Sequence, residues 1–295
     1  MTNLKELPKE ELLLPGNATC AGCGLSVALR LAFKALGPRT VLVVPACCAS
    51  VIHSPFPNTA FALPCLNIAF EAAAAAASGV VAAYEKRGVE DVTVLAWAGD
   101  GGTADIGLQA LSGAVERGTN FIYVCYDNES YMNTGIQRSG STPYGAWTTT
   151  TPTGKKQHKK NVPLIIAAHD IPYVATACIS YPLDLISKLR KAKGINGSKY
   201  IQILAPCPPG WRFPTEKTID LGRLAVQTGM WALYEIKHGK FEMSGPSARL
   251  LDKSRRKPIW HYLKAQGRFR NMTEEDVAVL QKWIDQSWEN FQRLM

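Results

Sequence analysis

The stretch "DVTVLAWAGDGGTADIGLQALSGAVERGTNFIYVCYDN" (91–128) decides the fold of this chain. It runs from an apolar strand through a glycine turn and a helical stretch (103–118) into a second apolar strand (120–126). Strands that are apolar throughout are typical of parallel sheets covered by helices on both faces. The stretch therefore predicts a strand–helix–strand crossover, which is right-handed in such sheets.

The same alternation continues on both sides of this unit. Further apolar strands are predicted at 40–45, 172–179 and 199–207, and helices at 24–37, 67–87, 161–170 and 182–194. Strands that alternate with helices about five times indicate an α/β fold with a doubly wound parallel sheet. The sequence contains no internal repeat that would suggest a solenoid.

The pattern changes beyond about residue 215. We expect an α/β domain over 1–215 and a mainly helical extension over 216–295, packed on the domain or on a partner subunit. In the final helix Thr273 and Asp276 are spaced like a capping box. An apolar stripe then follows at helical spacing, formed by Val277, Leu280, Ile284, Trp288 and Phe291. Such a stripe favours packing on the chain's own domain over a partner-binding helix.

Composition excludes several classes of protein. The 295 residues suffice for one large domain with an appendage, and the first residues lack the apolar core of a signal peptide. The longest apolar region (61–83) is mostly alanine and contains a proline and a glutamate, so it predicts a buried helix rather than a membrane span. We expect a cytoplasmic protein without a membrane partner.

The net charge of +9 is concentrated in "KKQHKK" (155–160) and "KSRRK" (253–257). Such runs form a solvated face, meet an acidic protein, or bind nucleic acid. The sequence contains no zinc finger, no RNA-binding signature and no basic run interleaved with aromatic residues, so no nucleic-acid partner is expected.

The turn "AGDGG" (98–102) carries a signal for phosphate and metal. Gly99 and Gly101 allow a tight turn and close approach of the backbone to a ligand, and the helix that follows offers N–H groups to an anion. Asp100 would repel a bare phosphate, so a cation is implied that both groups share. Asn128 follows the next strand and supplies a neutral oxygen at the same edge of the sheet.

The spacing of "GDG", 26 residues and an asparagine resembles the signature of thiamine-diphosphate enzymes. That resemblance implies a sheet of the thiamine-diphosphate-binding type. It also implies that Mg²⁺ is held by Asp100, Asn128 and the backbone carbonyl of Ser130.

Two of the eight cysteines, Cys20 and Cys23, form a CxxC motif just before a helix. Alone, this motif fits a zinc site, a redox pair or an iron–sulfur site. The other candidates for a four-thiolate site are Cys47, Cys48, Cys65, Cys125, Cys178 and Cys207. Cys125 and Cys178 lie inside apolar strands and are expected in the core. Cys48 and Cys207 follow strands, at the edge already assigned to the cofactor.

Motifs along nearly the whole chain resemble the β subunit of pyruvate:ferredoxin oxidoreductase, in the 2-oxoacid:ferredoxin oxidoreductase family. The motifs are "CAGCG", "FEAAAAAASG", "GDGG", "DNESYMNTG", "STPYGAWTTTTPTGK", "PYVATA", "APCPPGW", "LAVQTGMWALYEI" and "YLKAQGRF". The resemblance implies that the chain binds the diphosphate half of thiamine diphosphate and one [4Fe–4S] cluster. It places the four cluster ligands at Cys20, Cys23, Cys48 and Cys207.

Two departures from the family pattern bear on these assignments. Cys47 stands where relatives often have glycine or asparagine, so it can compete with Cys48 as a cluster ligand. Asn67 stands where many relatives carry a histidine near the cofactor. The resemblance implies a cofactor site lined by Ala46, Cys47, Cys48, Asn67, Gly99, Gly101, Gly102 and Met132. Asn133 is the candidate catalytic residue, contacting the substrate carbonyl; its alternative role is a turn residue.

The resemblance also implies a reaction and an assembly. The reaction is CoA-dependent oxidative decarboxylation of a 2-oxo acid, most simply pyruvate, with single electrons passing through the cluster to ferredoxin. An α subunit would complete the thiamine site, beside γ and ferredoxin-like δ subunits, and the loop 134–160 would cover the site or contact a subunit. The alternatives are the same machinery acting on a branched-chain, aryl or dicarboxylic 2-oxo acid, and a non-catalytic zinc or nucleic-acid module.

Overall fold

Eight strands form one sheet in the computed structural model, which describes residues 5, 7–54 and 57–295. The strands are β1 (Thr40–Pro45), β2 (Cys65–Ile68), β3 (Thr93–Gly99), β4 (Ile122–Asp127), β5 (Tyr173–Cys178), β6 (Lys199–Leu204), β7 (Tyr234–Lys237) and β8 (Lys240–Met243). Residues 1–4 and 6, on which part of the signal-peptide expectation depends, lie outside the described residues.

The order of the strands across the sheet is β2-β1-β3-β4-β6-β5-β7-β8. The first six strands in this order are parallel to one another. At the far edge, β7 is antiparallel to β5, and β8 is antiparallel to β7. Because β1 lies between β2 and β3, the chain leaves β1 to one side and returns on the other. Such a switch point opens a crevice at the carboxyl ends of the strands, where α/β sheets bind ligands.

Helices cover both faces of the sheet, which confirms the predicted doubly wound α/β fold. They are α1 (Gly24–Leu36), α2 (Cys48–Ile52), α3 (Ala73–Lys86), α4 (Leu108–Glu116), α5 (Val162–Ala167), α6 (Pro182–Lys193), α7 (Pro208–Trp211), α8 (Thr218–Gln227), α9 (Trp260–Lys264) and α10 (Glu274–Leu294). None of these described helices is long and apolar enough to cross a membrane.

Alternate residues of the strands enter two apolar cores. In β1, Leu42 and Val44 pack in the core beneath α1 and α6, whereas Val43 packs in the core beneath α3 and α4. Because both sides of the strand are buried, apolar residues are favoured at every position rather than at every second one. This burial is the physical reason that the strands could be recognised as continuous apolar runs.

The alanine-rich region folds differently from the expectation of one buried helix over 67–87. Residues 65–68 form the edge strand β2, and the helix begins only at Ala73. The helix α3 is buried along one side alone, with Ala75 and Gly79 exposed. Small side chains let this buried side approach the sheet closely, so alanine here reflects close packing rather than burial on all sides.

The C-terminal segment contributes strands that the sequence did not predict. β7 pairs with β5, and β8 pairs with β7, so residues beyond 216 extend the sheet itself. In α10 the predicted capping box is present, with Thr273 and Asp276 each bonding the other's backbone N–H at 3.2 Å. The stripe packs on the chain's own domain, because Leu280, Ile284 and Trp288 join its core. The boundary at 215 stays a prediction.

Candidate functional site

A cleft of about 380 Å³ opens at the switch point, where β1, β3 and β4 end. Its wall combines residues from the turns that follow these strands. They are Ala46, Cys47, Cys48, Phe70, Gly99, Asp100, Gly101, Gly102, Tyr126, Asn128, Ser130, Tyr131, Met132, Asn133 and Thr134. The residues that the sequence assigned to the thiamine site thus lie in one cleft, apart from Asn67.

The glycine turn at the end of β3 is required by close packing. The chain passes through it into a short π-helix (Gly102–Ile106). A Cβ atom at Gly101 would collide with the ring of Tyr131, and one at Gly102 would press against Phe70. Since the first N–H groups of a helix lack partners within it, this turn offers hydrogen-bond donors to an anion in the cleft.

Three oxygen-bearing groups meet in the cleft. One terminal atom of the Asn128 amide lies 2.8 Å from Asp100 Oδ1 and 2.9 Å from the Ser130 carbonyl oxygen. If the amide NH2 faces these atoms, it donates two hydrogen bonds; if the amide oxygen faces them, three acceptors surround one point. Neighbouring ligands in a Mg²⁺ octahedron, with metal–oxygen distances of about 2.0–2.1 Å, lie roughly 2.9 Å apart. In the second orientation, the distances from the Asn128 oxygen to the other two oxygens are therefore compatible with ligands of one magnesium ion.

The carboxylate of Asp100 is 1% exposed. Burial, followed by the negative charge of Asp127, raises its pKa well above the ordinary value, and a hydrogen bond of 2.5 Å from the Ser139 hydroxyl acts in the opposite direction. A divalent cation at Asp100 would favour the ionised carboxylate and so offset both effects. The electrostatics of this residue fit a ligand of a metal ion.

Buried charges hold the turn that follows β4. Glu129 adopts a φ of 65°, which is uncommon for a residue other than glycine. Its N–H donates to Asp127 Oδ1 at 3.0 Å, and its carboxylate accepts from Lys159 at 2.8 Å and Arg268 at 2.6 Å. Burial acts to raise the pKa of Glu129, but Lys159 and Arg268 together lower it. An ionised Glu129 thus maintains the backbone that places Asn128 and the Ser130 carbonyl.

The four predicted cluster ligands lie on loops near the same edge of the sheet. Cys20 and Cys23 form a turn before α1, closed by a 3.1 Å bond from the Cys23 N–H to the Cys20 carbonyl. Cys48 begins α2, and Cys207 precedes α7. A Cβ atom on Gly24 would press against the backbone of residues 205–206, so the CxxC turn packs directly on the Cys207 loop.

The thiols of these cysteines influence one another electrostatically. Burial, then the charge of Cys207, raises the pKa of Cys48 to about 12. Burial, with the charges of Cys23 and Cys20 adding to it, raises the pKa of Cys207 to about 12. In the described part of the chain, no three His, Cys, Asp or Glu side chains converge as ligands of a single metal ion.

Cys47 has a different role from Cys48. Its sulfur accepts from a backbone N–H of α2 while Ser50 bonds back to its own N–H, which forms a capping box. The sulfur of Cys48 instead donates to Asn133 Oδ1 at 3.3 Å. These contacts favour Cys48 as the cluster ligand, and the competition between the two cysteines stays a prediction. Cys125 and Cys178 are buried, as expected.

Asn67 is the predicted cofactor residue that lies outside the cleft wall. It belongs to the edge strand β2, where its Oδ1 lies 3.1 Å from His53 Nε2. The edge position leaves Asn67 exposed. Its contact with a cofactor stays a prediction.

Sequence reasoning missed the aromatic part of the cleft and its supports. Phe70, Tyr126 and Tyr131 line the cleft, and the Tyr126 hydroxyl accepts from the Cys48 N–H at 2.9 Å. The loop 134–160 also reaches the site, since Ser139 bonds Asp100. The signal that could have indicated the tyrosines is their place beside the ligand motifs, in "YDNESYMN" (126–133).

The first basic run is not a uniformly solvated face. Lys155 is 2% exposed, and its ammonium donates to the Thr142 carbonyl at 2.7 Å and the Ser139 carbonyl at 3.3 Å. Burial lowers its pKa to about 8. Together with Lys159, which bonds Asp127 and Glu129, this residue serves the interior of the site. A pattern of charge alone cannot distinguish buried lysines from exposed ones.

Comparisons with known proteins find relatives that match nearly the whole chain. Residues 46–203 match the family described as "Thiamine pyrophosphate enzyme, C-terminal TPP binding domain". The chain is 56% identical to the pyruvate synthase subunit PorB of Methanothermobacter thermautotrophicus, over 95% of this chain and 97% of the relative. It is 52% identical to the ketoisovalerate oxidoreductase subunit VorB of Pyrococcus abyssi, over 98% of this chain and 94% of the relative.

A solved structure shares the fold. It is the 2-oxoglutarate:ferredoxin oxidoreductase of Magnetococcus marinus with 2-oxoglutarate, coenzyme A and succinyl-CoA bound. The TM-score is 0.58 at 22% sequence identity, and the match covers 74% of this chain and 79% of that chain. At this identity the likeness concerns the arrangement of the sheet and helices alone.

Proposed function

Because this chain belongs to the β-subunit family of the 2-oxoacid:ferredoxin oxidoreductases, we propose that its cleft binds thiamine diphosphate through Mg²⁺. The chain is one subunit of an oxidoreductase that acts with partner subunits. The observation that carries the proposal is the meeting of Asp100, the Asn128 amide and the Ser130 carbonyl beside a glycine turn. Three hard oxygens next to anion-binding N–H groups suit a metal that bridges to a diphosphate.

We propose that Cys20, Cys23, Cys48 and Cys207 hold one [4Fe–4S] cluster. The support is that these thiols lie close enough for their charges to interact, while burial disfavours the free thiolates of Cys23, Cys48 and Cys207. A cluster that binds the thiolates would stabilise the ionised form. Cys48 also lies in the cleft wall, so a cluster at these cysteines adjoins the cleft.

Thiamine diphosphate, when bound, supplies the electron sink for loss of CO2 from a 2-oxo acid. The chain's own residues provide binding and orientation. The glycine turn, and Asp100 through the shared cation, would hold the diphosphate end, and the side-chain amide of Asn133, in the cleft wall, would orient a substrate carbonyl. Fixed groups of this kind contribute to rate because they do not have to reorganise during the reaction.

A partner α subunit is proposed to close the cleft and to supply the acid that activates the cofactor's aminopyrimidine ring. Large apolar side chains remain exposed on elements that carry or adjoin the cleft: Val51 at 55%, Leu66 at 43% and Ile106 at 50%. Exposed apolar side chains at a site mark a surface for a partner. The complete complex would include γ and ferredoxin-like δ subunits, accept coenzyme A, reduce ferredoxin and lie in the cytoplasm.

Pyruvate is the proposed substrate, in line with the PorB relative. A branched-chain 2-oxo acid is the second candidate, because the VorB relative matches slightly more of this chain at nearly the same identity. The zinc or nucleic-acid module is not favoured, since it would leave the three-oxygen site without a role.

Metal and cofactor analysis of the complex, purified without oxygen, tests the two binding proposals. We expect iron and sulfide in equal amounts, a brown visible spectrum, and thiamine diphosphate that dissociates when Mg²⁺ is chelated. A colourless complex that contains zinc would overturn the cluster assignment. Thiamine diphosphate binding that is indifferent to chelation would overturn the metal assignment.

A panel of 2-oxo acids tests the substrate. The complex is assayed with coenzyme A and a viologen dye, with pyruvate, a branched-chain, an aryl and a dicarboxylic 2-oxo acid. We expect the highest kcat/KM on pyruvate and no turnover without coenzyme A. A preference for the branched-chain acid would establish the second candidate, and turnover without coenzyme A would contradict the proposed reaction.

A further inference from the structure

Trp211 connects the turn with the proposed metal ligands (Asn128–Ser130), called the metal-binding turn below, to the loop that carries Cys207. Its side chain is fully buried, and its indole N–H donates to the carbonyl of Asn128 at 2.7 Å. Its backbone N–H donates to the carbonyl of Cys207 at 2.8 Å, which closes the single turn of α7. One residue thus bonds to a proposed metal ligand through its side chain and to a proposed cluster ligand through its backbone.

The indole ring of Trp211 is held in place by an arginine stacked on its face. The guanidinium of Arg268 lies 3.8 Å from the ring centroid and bonds Glu129 at 2.6 Å and the Tyr262 hydroxyl at 2.9 Å. Arg268 is 2% exposed, so the cation and its partners are shielded from water. The indole cannot rotate without disturbing the buried ion pair that supports the turn of Asn128.

A second contact joins the same two segments. Met132, in the cleft wall, packs so closely on α7 that a Cβ atom at Gly210 would collide with its thioether. That Cβ atom would also lie 3.4 Å from the sulfur of Cys207. The cleft and the Cys207 loop are therefore packed as one unit, with Trp211 supplying the polar link.

We propose that Trp211 is a positioning residue that holds the metal-binding turn and the cluster-binding loop at a fixed separation. The inference rests on the proposed function, because it needs a metal at Asn128 and a cluster at Cys207. Trp211 would act through these two residues. Its hydrogen bond keeps the Asn128–Ser130 backbone in the conformation that presents metal ligands, and its turn keeps the Cys207 thiolate facing the cluster.

Trp288 offers a matched control. It is 1% exposed, its indole N–H donates to the Gly229 carbonyl at 2.8 Å, and the guanidinium of Arg256 lies 4.4 Å from its ring centroid. The chemistry is the same as at Trp211, a buried indole bonded to a carbonyl and stacked on an arginine. Trp288 lies on α10, and its indole bonds Gly229 instead of a residue of either cofactor-binding turn.

The test compares Trp211→Phe with Trp288→Phe in the complete, anaerobically purified complex. Three quantities are measured: the dissociation constant of thiamine diphosphate at limiting Mg²⁺, the iron content, and the EPR spectrum of the cluster. We expect Trp211→Phe to raise the dissociation constant roughly fivefold, the value of one hydrogen bond, and to shift the EPR spectrum while iron is retained. Trp288→Phe should lower the melting temperature and change neither cofactor readout.

The inference is overturned if the two variants lose stability alike and leave the dissociation constant and EPR spectrum unchanged. Should Trp211→Phe fail to assemble, Arg268→Lys keeps the charge but loses the planar stack, and Arg256→Lys is its control. Arg268→Lys is then expected to raise the same dissociation constant, and an unchanged value would reject the inference. A wild-type complex that lacks iron or thiamine diphosphate would instead overturn the proposed function.

Discussion

The proposed metal site and the cysteine set lie near the same edge of the sheet but are built in different ways. Asp100 and Asn128 follow the adjacent strands β3 and β4, and both are buried, at 1% and 6% exposure. The cysteines come from distant parts of the chain, and Cys20 is exposed. A site built on neighbouring strands is determined by local order, whereas a site built from loops depends on how distant segments pack.

The two regions also differ in whether their buried ionisable groups have partners of opposite charge. Around the turn, the negative charge of Glu129 is balanced by Lys159 and Arg268, which lie within hydrogen-bonding distance of its carboxylate. Around the cysteines, Cys48 and Cys207 have pKa values raised to about 12 by burial and by neighbouring thiols. The charges around the turn are therefore balanced without a ligand, whereas the proposed cluster would stabilise the ionised form of the buried thiols.

The largest expected effect is a loss of the cluster without a loss of thiamine diphosphate binding. Cys207→Ala should abolish the intact cluster, because it removes one of four thiolates, while thiamine diphosphate binding is retained. Iron content and the EPR spectrum of the anaerobic complex measure the loss. Cys178→Ala is the control, since that thiol is buried in β5 and bonds the Gly222 carbonyl at 3.6 Å. If both variants keep their iron, Cys207 is not a cluster ligand.

The reciprocal change is Asp100→Ala. It should weaken thiamine diphosphate binding at limiting Mg²⁺ by more than about 100-fold, because losing even an outer partner of a metal ligand costs roughly 10–100-fold. Iron content should stay at the wild-type level. Equilibrium dialysis and iron analysis of the same preparation measure both. Loss of iron together with the cofactor would mean that Asp100 also supports the cysteine set.

The pH dependence of metal binding sharpens the comparison. Burial and Asp127 raise the pKa of Asp100, with Glu129 acting in the same direction and Lys159 in the opposite one. Mg²⁺ needs the ionised carboxylate, so its affinity should rise about tenfold per pH unit up to that raised pKa. Without metal the sign reverses: the folded state holds the proton more tightly, so stability falls as pH rises through the same window. Asp100→Asn should flatten the affinity profile, and a persistent slope would assign the proton elsewhere.

The smallest expected effect lies outside both regions. Thr273→Ala removes the cap of α10 and should lower the free energy of unfolding by about 1 kcal/mol. Thermal unfolding of the complex should show a shift of about 2–4 °C, with thiamine diphosphate affinity and iron content unchanged. A changed affinity would mean that the last helix acts on the metal-binding turn.

Much of this site could be predicted because its candidate ligands directly follow strands that are recognisable in the sequence. The apolar runs at 91–99 and 120–126 indicated parallel strands, and such strands place their carboxyl ends together. The sequence therefore predicts that Asp100 and Asn128 are neighbours. The edge strand β2 was missed because "CLNI" (65–68) is short and joins an alanine-rich helix without a clear change of period.

Periodicity and spacing act over short stretches of chain, so the sequence predicts the five central parallel strands and the candidate ligands at their carboxyl ends. Tertiary structure alone decided that Lys159 and Arg268 are buried against Glu129 and that Trp211 bonds Asn128. These contacts join residues from 30 to 139 positions apart, and their energies arise only when packing excludes water. No local pattern specifies such a pairing, because a buried lysine, arginine or tryptophan is written with the same letter as an exposed one.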